Sequence, residues 1–388
     1  MKILIVLTYY RPHTSGLTIY AERLAKALAK RGHQVTVLTS QFLPELPLEE
    51  TMEGVRVIRV PVLFRLSKGV IMPKFGRMAS QLVRENDVIQ LHLPQFDAAG
   101  VALRGRLLRK PTVITYHCDL LMPPGVLNTA ANLAVEFMNR LAAIFTHRFV
   151  TYTRDYAENS RYLKDYLRKT RIIPPPVELP HVENDEILNF ARKNNPSNVH
   201  PIIGMAARFA TEKGVEVLLD AMPAVIEKYP QAQVWFAGPY ENIIGEEHYL
   251  ARLMPRINQL AAAGNWKFLG NLNPNEMAQY YPNIDALVIP SLNSTEAFGL
   301  VQIEAMLNGK PSVASNLPGV RQPVKMHEMG KVVGIGDSQG LAQALIEIFM
   351  NPDRYIRDRA AIAERYMPDA VAVTYEELFA EIQRELHR

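Results

Sequence analysis

The sequence predicts an α/β protein made of two parallel-sheet domains, and three observations carry that expectation. The chain has 388 residues, more than one hydrophobic core usually holds, so two domains are expected. Short apolar runs rich in β-formers alternate with amphipathic helical patterns, the order of βαβ units. The alternation stops at Pro174-Pro175-Pro176, passes through a polar stretch containing Asn194-Asn195-Pro196-Ser197-Asn198, and then starts again.

In the first half, runs rich in Val, Ile or Thr at 3–7, 35–39, 55–60, 88–91, 112–116 and 149–153 read as buried strands. Between the first two, Leu17, Tyr20, Leu24 and Leu28 recur at helical spacing, and Gly32 supplies the stop. The second half predicts strands at 202–206, 234–237, 267–269, 286–289, 312–315 and 332–334, with helices over 215–228, 248–263 and 299–308. Runs of Pro and Asn favour turns and extended chain. Residues 181–200 therefore read as a linker, with a short helix near 187–192, between domains at 1–180 and 201–366. The final stretch, 367–388, places Val371, Tyr375, Leu378, Phe379 and Ile382 on one helical face.

Hydrophobic residues at 48% and charged residues at 21% describe an ordinary globular protein. The single cysteine, Cys118, forms no internal disulfide, and Met1 to Leu7 runs into Thr8 and Tyr9 without a small-residue cleavage site. A cytoplasmic protein is expected. The least polar stretch, 120–135, is broken by Pro123, Pro124 and Gly125, and falls short of the roughly 20 apolar residues a membrane span needs. Charge is divided unequally: residues 1–180 hold 25 Lys and Arg against 14 Asp and Glu, while residues 181–388 hold 18 against 25. The resulting +11 points the first half toward an anionic substrate, lipid-linked acceptor or membrane surface rather than a nucleic acid. Its basic residues gather at Arg65, Lys68, Lys74 and Arg77, among Leu63, Phe64 and Ile71, and at Arg104, Arg106, Arg109 and Lys110.

Three segments carry chemistry. The turn from Thr8 to Gly16 leads into the first helix, where unpaired N–H groups at a helix start suit an anion and Gly16, after Ser15, allows close approach. The strand over 202–206 ends in Ala207-Arg208-Phe209-Ala210-Thr211-Glu212-Lys213-Gly214, putting Arg208 and Lys213 at the carboxyl edge of a parallel sheet, where ligands bind. A guanidinium and an ammonium there suit a diphosphate. The third segment is Ser294-Thr295-Glu296-Ala297-Phe298-Gly299-Leu300-Val301-Gln302-Ile303-Glu304-Ala305. Glu296 precedes a helix and Glu304 lies inside it, so the two carboxylates reach opposite ends of an extended ligand. Between them Phe298, Gly299 and Leu300 offer helix N-terminal amides to a phosphate, and each carboxylate can accept hydroxyl hydrogen bonds.

On these residues the chain resembles glycosyltransferase family 4. That family's GT-B fold pairs two Rossmann-like domains across a cleft, with a C-terminal helix crossing back to the first domain. Its two glutamates with seven residues between them are matched by Glu296 and Glu304, its basic pair by Arg208 and Lys213, and its first-domain histidine by His117. Ser15-Gly16 replaces paired glycines, and Pro175-Pro176 replaces an Asn-Gly. The resemblance implies a retaining hexosyl transfer from a nucleotide-diphosphate sugar; because Arg208 and Lys213 already neutralise the diphosphate, no metal and no cofactor are expected. It gives Glu296 the donor sugar, Glu304 the ribose, His117 the sugar from the other domain, and the backbone near Leu272 the base. The chain contains no Asp-x-Asp. An epimerase of the same architecture and a non-catalytic sugar-nucleotide module are the alternatives. The charge imbalance of the first half makes peripheral attachment at the inner face of a membrane a further expectation.

Overall fold

The computed structural model describes residues 1–66, 69–120, 126–243 and 245–387. It divides into two compact units, Met1–Val177 together with Arg365–Arg388, and Glu178–Glu364. Ser67 and Lys68 of the first basic run, and residues 121–125 of the apolar stretch, lie outside the described residues.

The first unit runs β1 (Lys2–Val6), α1 (Gly16–Lys30), β2 (Gln34–Gln41), β3 (Glu49–Met52), β4 (Val55–Pro61), β5 (Phe64–Leu66), β6 (Gly69–Ile71), α2 (Phe75–Glu85), β7 (Val88–Leu93), α3 (Ala98–Leu107), β8 (Thr112–Tyr116), α4 (Val126–Phe145), β9 (Arg148–Thr151), α5 (Arg154–Asn159) and β10 (Thr170–Ile172). Among the described residues eight strands form one sheet in the order β10-β9-β8-β7-β1-β2-β4-β3. All neighbours are parallel except β3 on β4. Ile3, Leu4, Ile5 and Val6 are fully buried, as a central parallel strand covered on both faces requires. β5 and β6 form a separate antiparallel ribbon.

The second unit runs α6 (Asn184–Asn194), β11 (Ile202–Ala206), α7 (Val215–Lys228), β12 (Gln233–Ala237), α8 (Glu247–Ala262), β13 (Trp266–Gly270), α9 (Pro274–Tyr280), β14 (Ala286–Ile289), α10 (Leu300–Leu307), β15 (Ser312–Ser315), α11 (Gln322–His327), β16 (Gly330–Val333) and α12 (Ser338–Met350). Its sheet is parallel, in the order β13-β12-β11-β14-β15-β16. Residues 181–200 are more than a connection. α6 begins with a capping box formed by Glu183 and Glu186 and packs onto this unit, with Phe190 against Trp235 and Asn283 Nδ2 donating to the Ile187 carbonyl at 3.2 Å.

After α13 (Arg359–Tyr366), the last helix, α14 (Pro368–Leu386), belongs to the first unit. The chain passes from one unit to the other beside the proline run, at Val177, and again within α13 at Glu364, slightly before Met367-Pro368. The apolar face read from the sequence is the face α14 buries: Val371, Ala372, Tyr375, Leu378, Phe379 and Ile382. Its polar edge pairs with basic residues of the first unit. Arg31 meets Glu376 at 2.7 Å and Asp369 at 3.0 Å, and Arg171 meets Glu381 at 2.6 Å. Even so, the completed unit holds 28 Lys and Arg against 18 Asp and Glu, a balance of +10. No helix among the described residues is long and apolar enough to cross a membrane.

Candidate functional site

In an open parallel sheet, the point where successive strands change direction leaves a gap between two loops at the carboxyl edge, and ligands bind there. In the second unit that point lies between β11 and β14. The loop after β11 holds Arg208 and Lys213; the loop after β14 holds Glu296. Gly214 and Pro290 bring the two together. Gly214 has φ +69°, and a Cβ there would lie 2.0 Å from the Pro290 carbonyl oxygen, so only glycine fits. Next to it, the Leu292 amide donates to the Glu212 carbonyl at 2.9 Å.

This seam sets up the charged contacts. Lys213 Nζ lies 2.6 Å from Glu296 Oε2, and the Gly299 amide donates to Glu296 Oε1 at 3.0 Å. One carboxylate therefore ties the cation to the start of α10, whose cap residue Gly299 has φ +76°. Arg208 is paired with Glu212 on its own loop. Phe298 is buried, Leu300 is the first residue of α10, and Glu304 faces inward at 6% exposure, accepting a 2.6 Å hydrogen bond from the Tyr281 hydroxyl. Leu272 lies half-buried in the short link from β13 to α9. Within this unit, the structure thus gathers Lys213, Glu296, Phe298, Gly299 and Leu300 around one seam. Tyr281, absent from the sequence reading, orients Glu304; an aromatic at the end of a helix gives no signal by itself.

In the first unit the direction changes between β1 and β7. Ser15 caps α1, accepting from the Thr18 amide at 3.2 Å, and Gly16 is the first helical residue. The turn before them is braced by His13 stacked on Tyr9, with ring centroids 4.8 Å apart. His117, just past β8, is 6% exposed and has both ring nitrogens engaged. Nε2 shares a 2.8 Å hydrogen bond with His92 Nδ1, and Nδ1 bonds the Tyr152 hydroxyl. A hydrogen bond from either ring nitrogen to a ligand requires exchanging one of those bonds.

Two further residues sit beside the same gap. His92 Nε2 and both amide atoms of Gln95 are buried without a hydrogen-bond partner among the described residues. Such atoms cost about 1–3 kcal/mol each when left unpaired and call for an explanation. The sequence signal was available: Gln90 and His92 interrupt an otherwise apolar central strand.

Burial pushes the His92 imidazole down to about 3, and burial followed by the neighbouring His92 pushes His117 well below the ordinary histidine range. In the unfolded chain both titrate near about 6.5. Below that pH the unfolded state takes up protons that the folded state refuses. Stability is therefore full above the unfolded value and falls as pH drops from about 6.5 towards the folded values, by up to about 1.4 kcal/mol per pH unit for each histidine. Urea midpoints between pH 7 and pH 5 should show this fall, and a flat profile would contradict two buried neutral imidazoles.

Residues 14–180 match the model of Glycosyltransferase Family 4, and residues 187–365 match that of Glycosyl transferases group 1. The chain belongs to the family 4 glycosyltransferases. Among its relatives are the phosphatidyl-myo-inositol mannosyltransferase of Mycobacterium leprae, 25% identical over 96% of this chain and 94% of that protein, and the O-antigen chain mannosyltransferase C of Escherichia coli, 26% identical over 98% of each. The glycosyltransferase also superposes on Anabaena Alr3699/HepE, solved with UDP and glucose, with a TM-score of 0.75 at 20% identity over 98% of this chain and 99% of that one. That likeness speaks for a shared GT-B fold. In the glycosyltransferase, the group 1 match contains the Lys213–Glu296 seam, and the family 4 match contains His117 and Ser15-Gly16.

Proposed function

We propose that this glycosyltransferase moves a hexose-type sugar from a nucleotide-diphosphate sugar to an anionic, lipid-linked acceptor, with retention at the anomeric carbon and without a metal ion. The observation that carries the reading is the ion pair between Lys213 and Glu296 at the switch point of the second unit. As the glycosidic C–O bond breaks, negative charge grows on the diphosphate. An ammonium positioned beforehand by Glu296, at the start of α10, stabilises that charge more than the ground state. Glu296 meets the sugar hydroxyls, Glu304 the ribose, and the Leu272 backbone the base, while Arg208 forks onto phosphate oxygens. The leaving phosphate takes the acceptor proton on the face from which it departs.

The names of the relatives point to mannose as the first sugar to test, and the phospholipid in one of those names agrees with a first unit of net charge +10. A thermal-shift panel of nucleotide-diphosphate sugars tests the donor: saturating ligand at about 100 times its Kd raises stability by about 2.7 kcal/mol. Glu304→Ala should abolish the shift while leaving the unliganded melting temperature within a few degrees of the parent. No shift with any donor removes the reading. Activity should survive EDTA; loss restored by magnesium or manganese would overturn the metal-free step.

A further inference from the structure

An imidazole stands in the buried strand β7, and the strand register decides what it meets. β7 on β8 sets His92 opposite Thr115 and Leu93 opposite Tyr116, and the His117 amide continues the ladder by donating to the Leu93 carbonyl at 3.1 Å. The two imidazoles stack with centroids 5.0 Å apart and 23° between their planes, and His92 Nδ1 lies 2.8 Å from His117 Nε2. The Tyr20 ring meets both at steep angles, 69° to His92 and 88° to His117. All three rings are buried, so the pair is held on its other side as well.

Counting protons narrows the states of this pair. Burial keeps both rings neutral, so each has one N–H and one lone pair. A single proton therefore lies between His92 Nδ1 and His117 Nε2. If His117 Nε2 carries it, His117 Nδ1 accepts from the Tyr152 hydroxyl, and His92 Nε2 becomes a buried N–H with no partner among the described residues. If His92 Nδ1 carries it, His117 Nδ1–H donates to Tyr152, and His92 Nε2 keeps a bare lone pair. Among backbone groups an orphaned buried N–H is rarer than an under-satisfied acceptor. The same preference selects the second arrangement.

We propose that His92 is a positioning residue for His117: its Nδ1–H holds Nε2, which fixes the ring and leaves Nδ1–H as the edge that exchanges the Tyr152 hydroxyl for an oxygen of the donor sugar. The inference rests on the sugar-transfer reading, with His117 against the donor sugar as the family resemblance implies. It also accounts for the unpartnered His92 Nε2, since the nitrogen that acts on His117 is the other one.

The test is nitrogen NMR of the full chain labelled in its histidine rings, recorded near neutral pH without donor, so that the spectrum does not depend on whether sugar transfer occurs. Wild-type His117 should be protonated at Nδ1, with Nε2 shifted as a hydrogen-bond acceptor. His92→Phe keeps a ring of similar size but no donor: Nε2 should move to the position of a bare lone pair, and turnover should fall about tenfold or more while the donor KM changes less than about threefold. His92→Asn fills the space less well but presents an amide N–H near the place of Nδ1. It should restore the hydrogen-bonded Nε2 signal and turn over several times faster than His92→Phe. A residue that only filled space would give the opposite order. His117 protonated at Nε2 in the wild type, wild-type turnover in His92→Phe, or His92→Phe turning over faster than His92→Asn overturns the proposal.

Discussion

Lys213→Ala should lower kcat by about 10²–10³-fold, which corresponds to losing roughly 2.7–4 kcal/mol of transition-state stabilisation. The ammonium is held 2.6 Å from Glu296, and that carboxylate also receives the Gly299 amide. Substitution removes the cation and leaves Glu296 partly buried without it. Because the charge it meets grows only as the bond breaks, the loss should fall on kcat more than on KM. Lys213→Arg keeps the charge but replaces a compact ammonium with a planar fork, so it should recover part of the rate. An unchanged turnover number in Lys213→Ala would remove this lysine from the reaction.

Ending the chain at Tyr366 should unfold the first unit and spare the second. The truncation deletes α14, whose Val371, Leu378, Phe379 and Ile382 are at most 4% exposed. Four such side chains stabilise by about 1.5–3 kcal/mol each, together comparable to the roughly 5–15 kcal/mol that holds a whole domain. Tyr375 is lost with them. Its hydroxyl bonds Tyr20 at 2.7 Å and Thr115 at 2.8 Å, so two buried hydroxyls lose a partner as well. Amide exchange should show β1 and β2 unprotected while β11 and β12 keep full protection. Parent-like protection of β1 in the truncated chain would mean that α14 is dispensable.

Much of this architecture is legible in the sequence because buried parallel strands are written as short, mostly uncharged runs bounded by helical patterns. β8, β11, β14 and β15 begin and end at the residues their patterns indicate. The strands that the pattern misses obey different rules. β3, Glu-Glu-Thr-Met, is an antiparallel edge strand half in water, and β10 is three residues of Thr-Arg-Ile at the other edge. Neither needs an apolar run. The second unit's seam is visible through Glu296, Glu304 and the basic pair, but the contact that closes it, Gly214 against Pro290, joins residues 76 positions apart. The His92–His117 pair is hidden for the same reason: only strand register places β7 beside β8.

The return of α14 to the first unit also sets an order of events during synthesis. The second unit is complete once Glu364 has been made, whereas the first waits for the final 24 residues. Between Val177 and the end, 211 residues must be added, which takes roughly 10–40 s at about 5–20 residues per second. Throughout that interval Tyr20 and the side of α1 that α14 will cover stay open to water and to chaperones. The N-terminal half of this chain, although translated first, is the last to finish folding.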